Sequence, residues 1–260
     1  MIFELIGPAG VGKTTIASAI DAHFAAAALK VTSFKEHEIL EQTRGVKAIM
    51  RRNPLVRAAI LAPLFWRQPR LAFGISYLGV LHGPPLRSRV RKGQRLLAHC
   101  VFALELVRRH PDHIILHDGF TQTLWSFLIE SRKLRGKRII HVVLQRYFAL
   151  VGQKAIRLDA SDDEVVARVF ARHSTSRFDR NTPTRRRNEF TRWLGYYREL
   201  IDLLPAELQV CAVDASLSPQ QVTDAVAEII LKLSGRRPAA SDQLDELNSS
   251  GGKDWKQIST

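Results

Sequence analysis

Between Glu41 and Glu105 the chain contains no Asp or Glu, although twelve Lys or Arg lie between Glu41 and His99. That shortage of acids contributes to a net charge of +14 over 260 residues. Long-range attraction to an anionic partner follows, whether nucleic acid, phospholipid head groups or a polyanionic metabolite, and charge does not choose among them. Cysteine is also scarce. Cys100 and Cys211 form no Cys-x-x-Cys pair, which excludes a disulfide framework and a thiolate zinc site. Their apolar surroundings predict two buried small hydrophobes in a reducing compartment. No uncharged apolar run reaches the 18 or so residues of a spanning helix. No Asn-Lys-x-Asp occurs, which argues against a GTPase, and no internal repeat or nucleic-acid reading module is visible. Strand-like residues begin at the first position and leave no room for a secretory leader, so a cytoplasmic protein is expected.

What the chain does carry is concentrated at its start. Gly7-Pro8-Ala9-Gly10-Val11-Gly12-Lys13-Thr14-Thr15 fits Gly-x-x-x-x-Gly-Lys-[Ser/Thr], the P-loop pattern. Its turns aim backbone N–H groups at the phosphates of a nucleotide. In that role Gly7, Gly10, Val11, Gly12, Lys13, Thr14 and Thr15 bind ATP, Lys13 lies between the β and γ phosphates, and the Thr14 hydroxyl takes a position on Mg2+. The flanks suit the motif: Met1 to Ile6 reads as a mainly apolar strand, and Ile16, Ala17, Ile20, Phe24 and Ala27 recur at helical spacing.

Further on, Lys30 to Phe34 reads as a second strand whose exit carries Glu36 and Glu38. Beyond the carboxyl end of a parallel strand these face an acceptor substrate, or they are solvated loop acids. Residues 42 to 110 read as a basic helical acceptor or insert region, broken by prolines at 54, 63, 69, 84, 85 and 111. Its apolar helices with arginine flanks suit core packing, a greasy substrate or the surface of an anionic bilayer. Leu96 to Arg108 forms an amphipathic helix, and Ile114-Ile115-Leu116-His117-Asp118 is a buried strand ending in an acid. Such an acid emerges beside the γ phosphate, where Asp118 directs Mg2+ or orients the acceptor; the alternative is an acid capping the next turn. His117 points to the opposite face and is read as packed.

A helix is expected over Thr121 to Leu134, with Gln122 and Trp125 near the acceptor, and another over Ile139 to Leu150, of which Ile139 to Leu144 also passes for a strand. Lys154 to Asp159 is a strand, followed by a capping box at Ser161 and Glu164. The next helix turns Val165, Val166, Val169 and Phe170 inward, and residues 168 to 192 form an arginine-rich lid or a solvated basic hairpin. In the lid reading Arg168, Arg172 and Arg177 neutralise the transferring phosphoryl group and Arg180 holds the nucleotide. Glu189 to Leu203 is a helix, Gln209 to Asp214 the last strand, and Ser218 to Leu233 the last helix. Residues 234 to 260 hold too few large apolar side chains to fold on their own and read as a flexible tail to a single domain over 1 to 233.

Five strands alternating with helices, the first leading into a P-loop and the third ending in an acid, predict a three-layer α/β P-loop NTPase fold. Its sheet is five-stranded and mostly parallel, with a helical insertion and an arginine-rich lid. The arrangement resembles P-loop kinases of the nucleoside monophosphate kinase group, thymidylate kinase and the deoxynucleoside kinases most closely. The resemblance rests on Gly7 to Thr15, Asp118-Gly119, Leu158-Asp159-Ala160-Ser161 with Arg168 and Arg172, and Asp214-Ala215-Ser216. It implies ATP and Mg2+ as cofactors, Asp118 as the third-strand acid, and Ala215 near the adenine ring. Gly119 stands where thymidylate kinase has Arg, and Lys35-Glu36-His37 where it has Arg-Glu-Pro. These departures point to phosphotransfer onto another acceptor, small or lipid-linked and anionic. Peripheral contact with the inner face of a membrane and a homodimer are compatible with the chain. A partner-coupled ATPase and a nucleic-acid-binding protein or polynucleotide kinase are the competing readings.

Overall fold

A computed structural model describes residues 1–26, 31–34, 54–82, 93–94, 96–101, 103–104, 113–116, 119–129, 134–152, 154–171 and 183–235. Five strands, β1 (Ile2–Ile6), β2 (Val31–Phe34), β3 (His113–Leu116), β4 (Lys154–Asp159) and β5 (Val210–Asp214), form one sheet in the order β2-β3-β1-β4-β5. Every pairing is parallel; Glu4 stands opposite Leu116 on one side and Ala155 on the other. Such a sheet is buried on both faces, which is why its strands are rich in Ile, Leu and Val.

Eight helices have both ends among the described residues: α1 (Lys13–Ala26), α2 (Pro54–Arg67), α3 (Pro69–His82), α4 (Phe120–Leu128), α5 (Lys137–Val151), α6 (Asp162–Ala171), α7 (Pro183–Ile201) and α8 (Pro219–Leu233); the described residues between 93 and 104 are helical too. The period of two in β1 sorts them. Phe3 and Leu5 face a core shared with Ile16, Ile20 and Phe24 of α1 and Val222, Val226 and Ile230 of α8. Ile2 and Ile6 face the larger core, built with Ile75 of α3, Leu124 of α4, Leu144 of α5, Val165 of α6 and Leu194 of α7. Each large side chain so buried contributes about 1.5–3 kcal/mol. On the second face Phe120 stacks on Tyr147, with centroids 4.0 Å apart and planes at 14°.

Neighbouring strands β1 and β3 send their next helices to opposite faces, α1 to one and α4 to the other. Such a switch point is where a crevice forms and ligands collect in open parallel sheets, beyond the strands' carboxyl ends. β1 is the middle strand and leads into the glycine-rich turn.

Several element boundaries differ from the sequence reading. Pro63 lies inside α2 and does not end it. An internal proline costs about 3 kcal/mol, but Leu61 and Leu64 on either side are buried and offset it. Pro54, Pro69 and Pro183 each open a helix, where a missing N–H costs nothing. The α4 helix stops at Leu128, short of Leu134, whereas the helix read over 139–150 is present and starts at Lys137. In α6 only Val165 and Val166 are buried; Phe170 stays 37% exposed with its ring edge on Phe190. Cys100 is buried, and burial pushes its thiol pKa up, whereas Cys211 on the edge strand is only half-buried.

Candidate functional site

The loop is shaped by glycine where nothing else fits. Gly10 has φ +95° and Gly12 φ +109°, in the region L side chains avoid. A Cβ on Gly10 would also run into Val169 Cγ2 and lie 3.2 Å from the Val165 carbonyl, because α6 lies against the loop at this point. Val11 is buried in the α1 and α8 core and anchors the turn, and its N–H donates to the Pro8 carbonyl at 3.3 Å.

Lys13 opens α1 and is 7% exposed. Its Nζ donates to the carbonyls of Gly7 at 2.6 Å and Pro8 at 3.1 Å, which folds the ammonium back into the loop. Thr14 and Thr15 stand exposed in the first turn of α1, which holds no acid. A positive helix end, an ammonium within the turn and two open hydroxyls are a donor set for a polyphosphate and its divalent cation. ATP-Mg2+ thus fits the residues present. Among the described residues no cluster of three His, Cys, Asp or Glu could hold a metal by itself. A magnesium ion here would depend on Thr14 and on the phosphates.

Across the crevice the structure adds a group that the sequence reading passed over. Glu4, fully buried in β1, projects to the same face as Ile2 and Ile6, and its Oε1 accepts the N–H of Thr121 at 2.8 Å. That N–H is one of the free donors at the start of α4, whose N-cap Gly119 supplies no side chain. The carboxylate thus caps the helix from a neighbouring strand. A Cβ at Gly119 would overlap the Glu4 carboxyl carbon and lie 2.6 Å from Oε1. Gly119 is therefore the small residue that a strand-borne carboxylate requires. The available signal was parity: a charged residue at a core-facing strand position needs a partner.

On the same face at the carboxyl end of β4, the Nε and Nη2 of Arg157 both donate to Asp159 Oδ2, at 2.9 and 2.8 Å. The phenol of Tyr197 on α7 is buried near them. Desolvation pushes its pKa up, Asp159 pushes it further, and Arg157 opposes. Among the described residues its hydroxyl makes no hydrogen bond. Trp125, expected at the acceptor, is buried; its Nε1 donates to the Trp193 carbonyl at 2.9 Å and its ring meets Tyr197 edge-on. It ties α4 to α7. Gln122, also expected there, is half-buried in the first turn of α4.

Arg168 donates to the Ala215 carbonyl at 3.0 Å, with Glu164 3.9 Å away. Ala215 is buried and its N–H donates to Asp159 O at 2.6 Å, so this arginine joins α6 to the exit of β5. Asp118, Glu36, Glu38, Arg172, Arg177 and Arg180 lie outside the described residues, as does His117. Asp118 follows two positions after the last residue of β3, the strand beside β1.

No family model and no curated protein sequence matches the chain. Solved structures similar to it include three of a deoxyadenosine kinase from M. mycoides. With the products dCMP and a flexible dCDP bound, the TM-score is 0.46 at 13% identity over 90% of this chain and 100% of that one. With dATP bound, it is 0.44 at 12% identity, covering 88% and 99%. With dCTP bound, it is 0.39 at 12% identity, covering 90% and 100%.

Proposed function

We propose that this protein is an ATP-dependent phosphotransferase of the P-loop kinase kind, which moves the γ-phosphoryl group of ATP-Mg2+ to a small or lipid-linked anionic acceptor. The observation that carries the reading is the β1–loop–α1 unit, with the Lys13 ammonium inside the turn and the crevice to β3 alongside it. ATP-Mg2+ supplies the phosphoryl group and the divalent charge. Backbone N–H groups from Gly10 to Thr15 hold the phosphates, and Lys13 balances the charge that gathers on the γ-phosphoryl oxygens. Thr14 would give one oxygen to the metal. Asp118 would orient the acceptor oxygen or help hold the metal, and Arg172, Arg177 and Arg180 would neutralise charge on the phosphates. Arg168 has a narrower role, holding the Ala215 carbonyl beside the adenine. Glu36, Glu38 and Gln122 stand on the acceptor side.

The test is a transfer screen with labelled ATP against nucleosides, nucleoside monophosphates, sugars, lipid extracts and oligonucleotides. One acceptor class should become labelled. Lys13→Ala should lower that rate by about a hundredfold or more, the usual loss for one well-placed donor in the transition state. Full turnover in that variant would sink the proposal. Hydrolysis without any labelled acceptor would replace it with the ATPase reading.

A further inference from the structure

The outer face of α2 and α3 is apolar and exposed among the described residues. Leu71, Ile75 and Leu78 of α3 are buried against the body of the protein. On the opposite side of the same helix Phe73, Tyr77 and Val80, spaced four and three apart, are 64%, 50% and 63% exposed. Trp66, 88% exposed, continues this surface at the corner where α2 meets α3, and the ring of Phe65 beside it packs edge-on against Phe73 at 5.6 Å. A helix that is apolar all round belongs in a buried setting. Arg67 and Arg70 stand exposed at the same corner.

We propose that this face docks on an anionic phospholipid bilayer, with Trp66, Phe73, Tyr77 and Val80 at the level of the head groups and Arg67 and Arg70 on lipid phosphates. The inference is independent of the nucleotide reading. Charge decides between occupants. No acid lies between Glu41 and Glu105, so a two-fold contact with a second copy would set the arginines of one face against those of the other. A nucleic acid would use the arginines and the aromatic rings but gives Val80 nothing to do. A bilayer with acidic lipids uses all of them: aromatic rings settle at the interface, aliphatic side chains enter the acyl boundary, and arginines neutralise phosphate. The helices lie on the bilayer and do not cross it. At 14 residues α3 is about 21 Å long, less than the ~30 Å hydrocarbon core, and among the described residues no helix is long and apolar enough to span.

The full chain is floated with vesicles of phosphatidylcholine alone and of phosphatidylcholine mixed with phosphatidylserine, at low and high salt. Binding should favour the acidic vesicles, weaken with salt, and shift the emission of the wild type to the blue but not that of Trp66→Phe. Arg70→Ala should weaken it about fivefold, and Phe73→Ser with Val80→Ser more than tenfold. Circular dichroism first checks that each variant is folded. The proposal is overturned by absence of binding to acidic vesicles at low salt, or by equal binding of folded wild type and Phe73→Ser/Val80→Ser. It is equally overturned if those two side chains control dimerisation in light scattering or capture of an oligonucleotide while vesicles are ignored.

Discussion

Glu4 and Gly119 behave as one feature: the carboxylate reaches from β1 to the first turn of α4, and the glycine leaves it room. Gly119→Ala forces a buried carboxylate off its N–H partner, at a cost of about 1–3 kcal/mol. Urea unfolding should show the midpoint falling at unchanged m. In a Glu4→Ala background the same substitution meets no carboxylate, so the two changes should couple strongly in a double-mutant cycle. Additive costs would show that Gly119 is small for another reason. Residue by residue, the loop was readable, because its glycines and lysine must follow one another in the chain. Glu4 was half readable: its parity marked it as inward, but its partner is 117 positions away. Trp125 misled because aromatic residues near a strand exit suit a ligand and a core equally well, and here its indole is spent on Trp193.

Helices α6 and α8 each start with a reciprocal cap, and only one of the two can titrate. Glu164 Oε2 accepts the Ser161 N–H at 3.1 Å while Ser161 Oγ accepts the Glu164 N–H at 3.3 Å. In α8 Gln221 answers Ser218 in the same way. The hydroxyl of Ser161, then its backbone N–H, holds Glu164 below the ordinary value of 4.5. A lowered folded-state pKa means that the folded chain binds fewer protons near that value. The stabilisation is therefore complete above 4.5 and disappears as pH falls through the lowered value. Ser161→Ala should lose more stability relative to wild type at pH 7 than in acid, where only the hydroxyl's cap on the Glu164 N–H remains to be lost. Ser218→Ala should cost about 1 kcal/mol at either pH, and thermal unfolding at the two pH values separates them. The α6 cap was legible because Ser161 and Glu164 are three apart. That α6 then lies on Gly10, through Val165 and Val169, was not. Pro63 was taken for a break because local propensity alone disfavours it, and burial of Leu61 and Leu64 overrides that preference.

For the whole molecule, the proposed nucleotide binding would be linked to folding stability. A ligand at a hundred times its Kd adds about 2.7 kcal/mol to a site present only in the folded chain. ATP-Mg2+ should raise Tm by several degrees at about 2–4 °C per kcal/mol. Lys13→Ala, measured from its own ligand-free Tm, should lose most of the shift. An equal shift in both would place the nucleotide away from the loop. The charge of +14 belongs to this scale too, since it bears on how the molecule meets other surfaces and hardly on its fold.

Local patterns in the chain set the alternation of strand and helix, the glycine-rich loop with its lysine after β1, and the acid-free basic segment from 42 to 104. Each rests on neighbours in the chain, where the periods of two and 3.6, glycine torsions and local charge act without knowledge of the fold. Tertiary structure decided the strand order, which sets β3 beside β1 and opens the crevice between their carboxyl ends. It decided that Glu4 caps α4, that Arg168 joins α6 to Ala215, and that α3 turns Leu71, Ile75 and Leu78 inward while Phe73, Tyr77 and Val80 stay exposed. Hydrogen bonds and packing between distant segments form only once the sheet has assembled, and no local pattern encodes the partner.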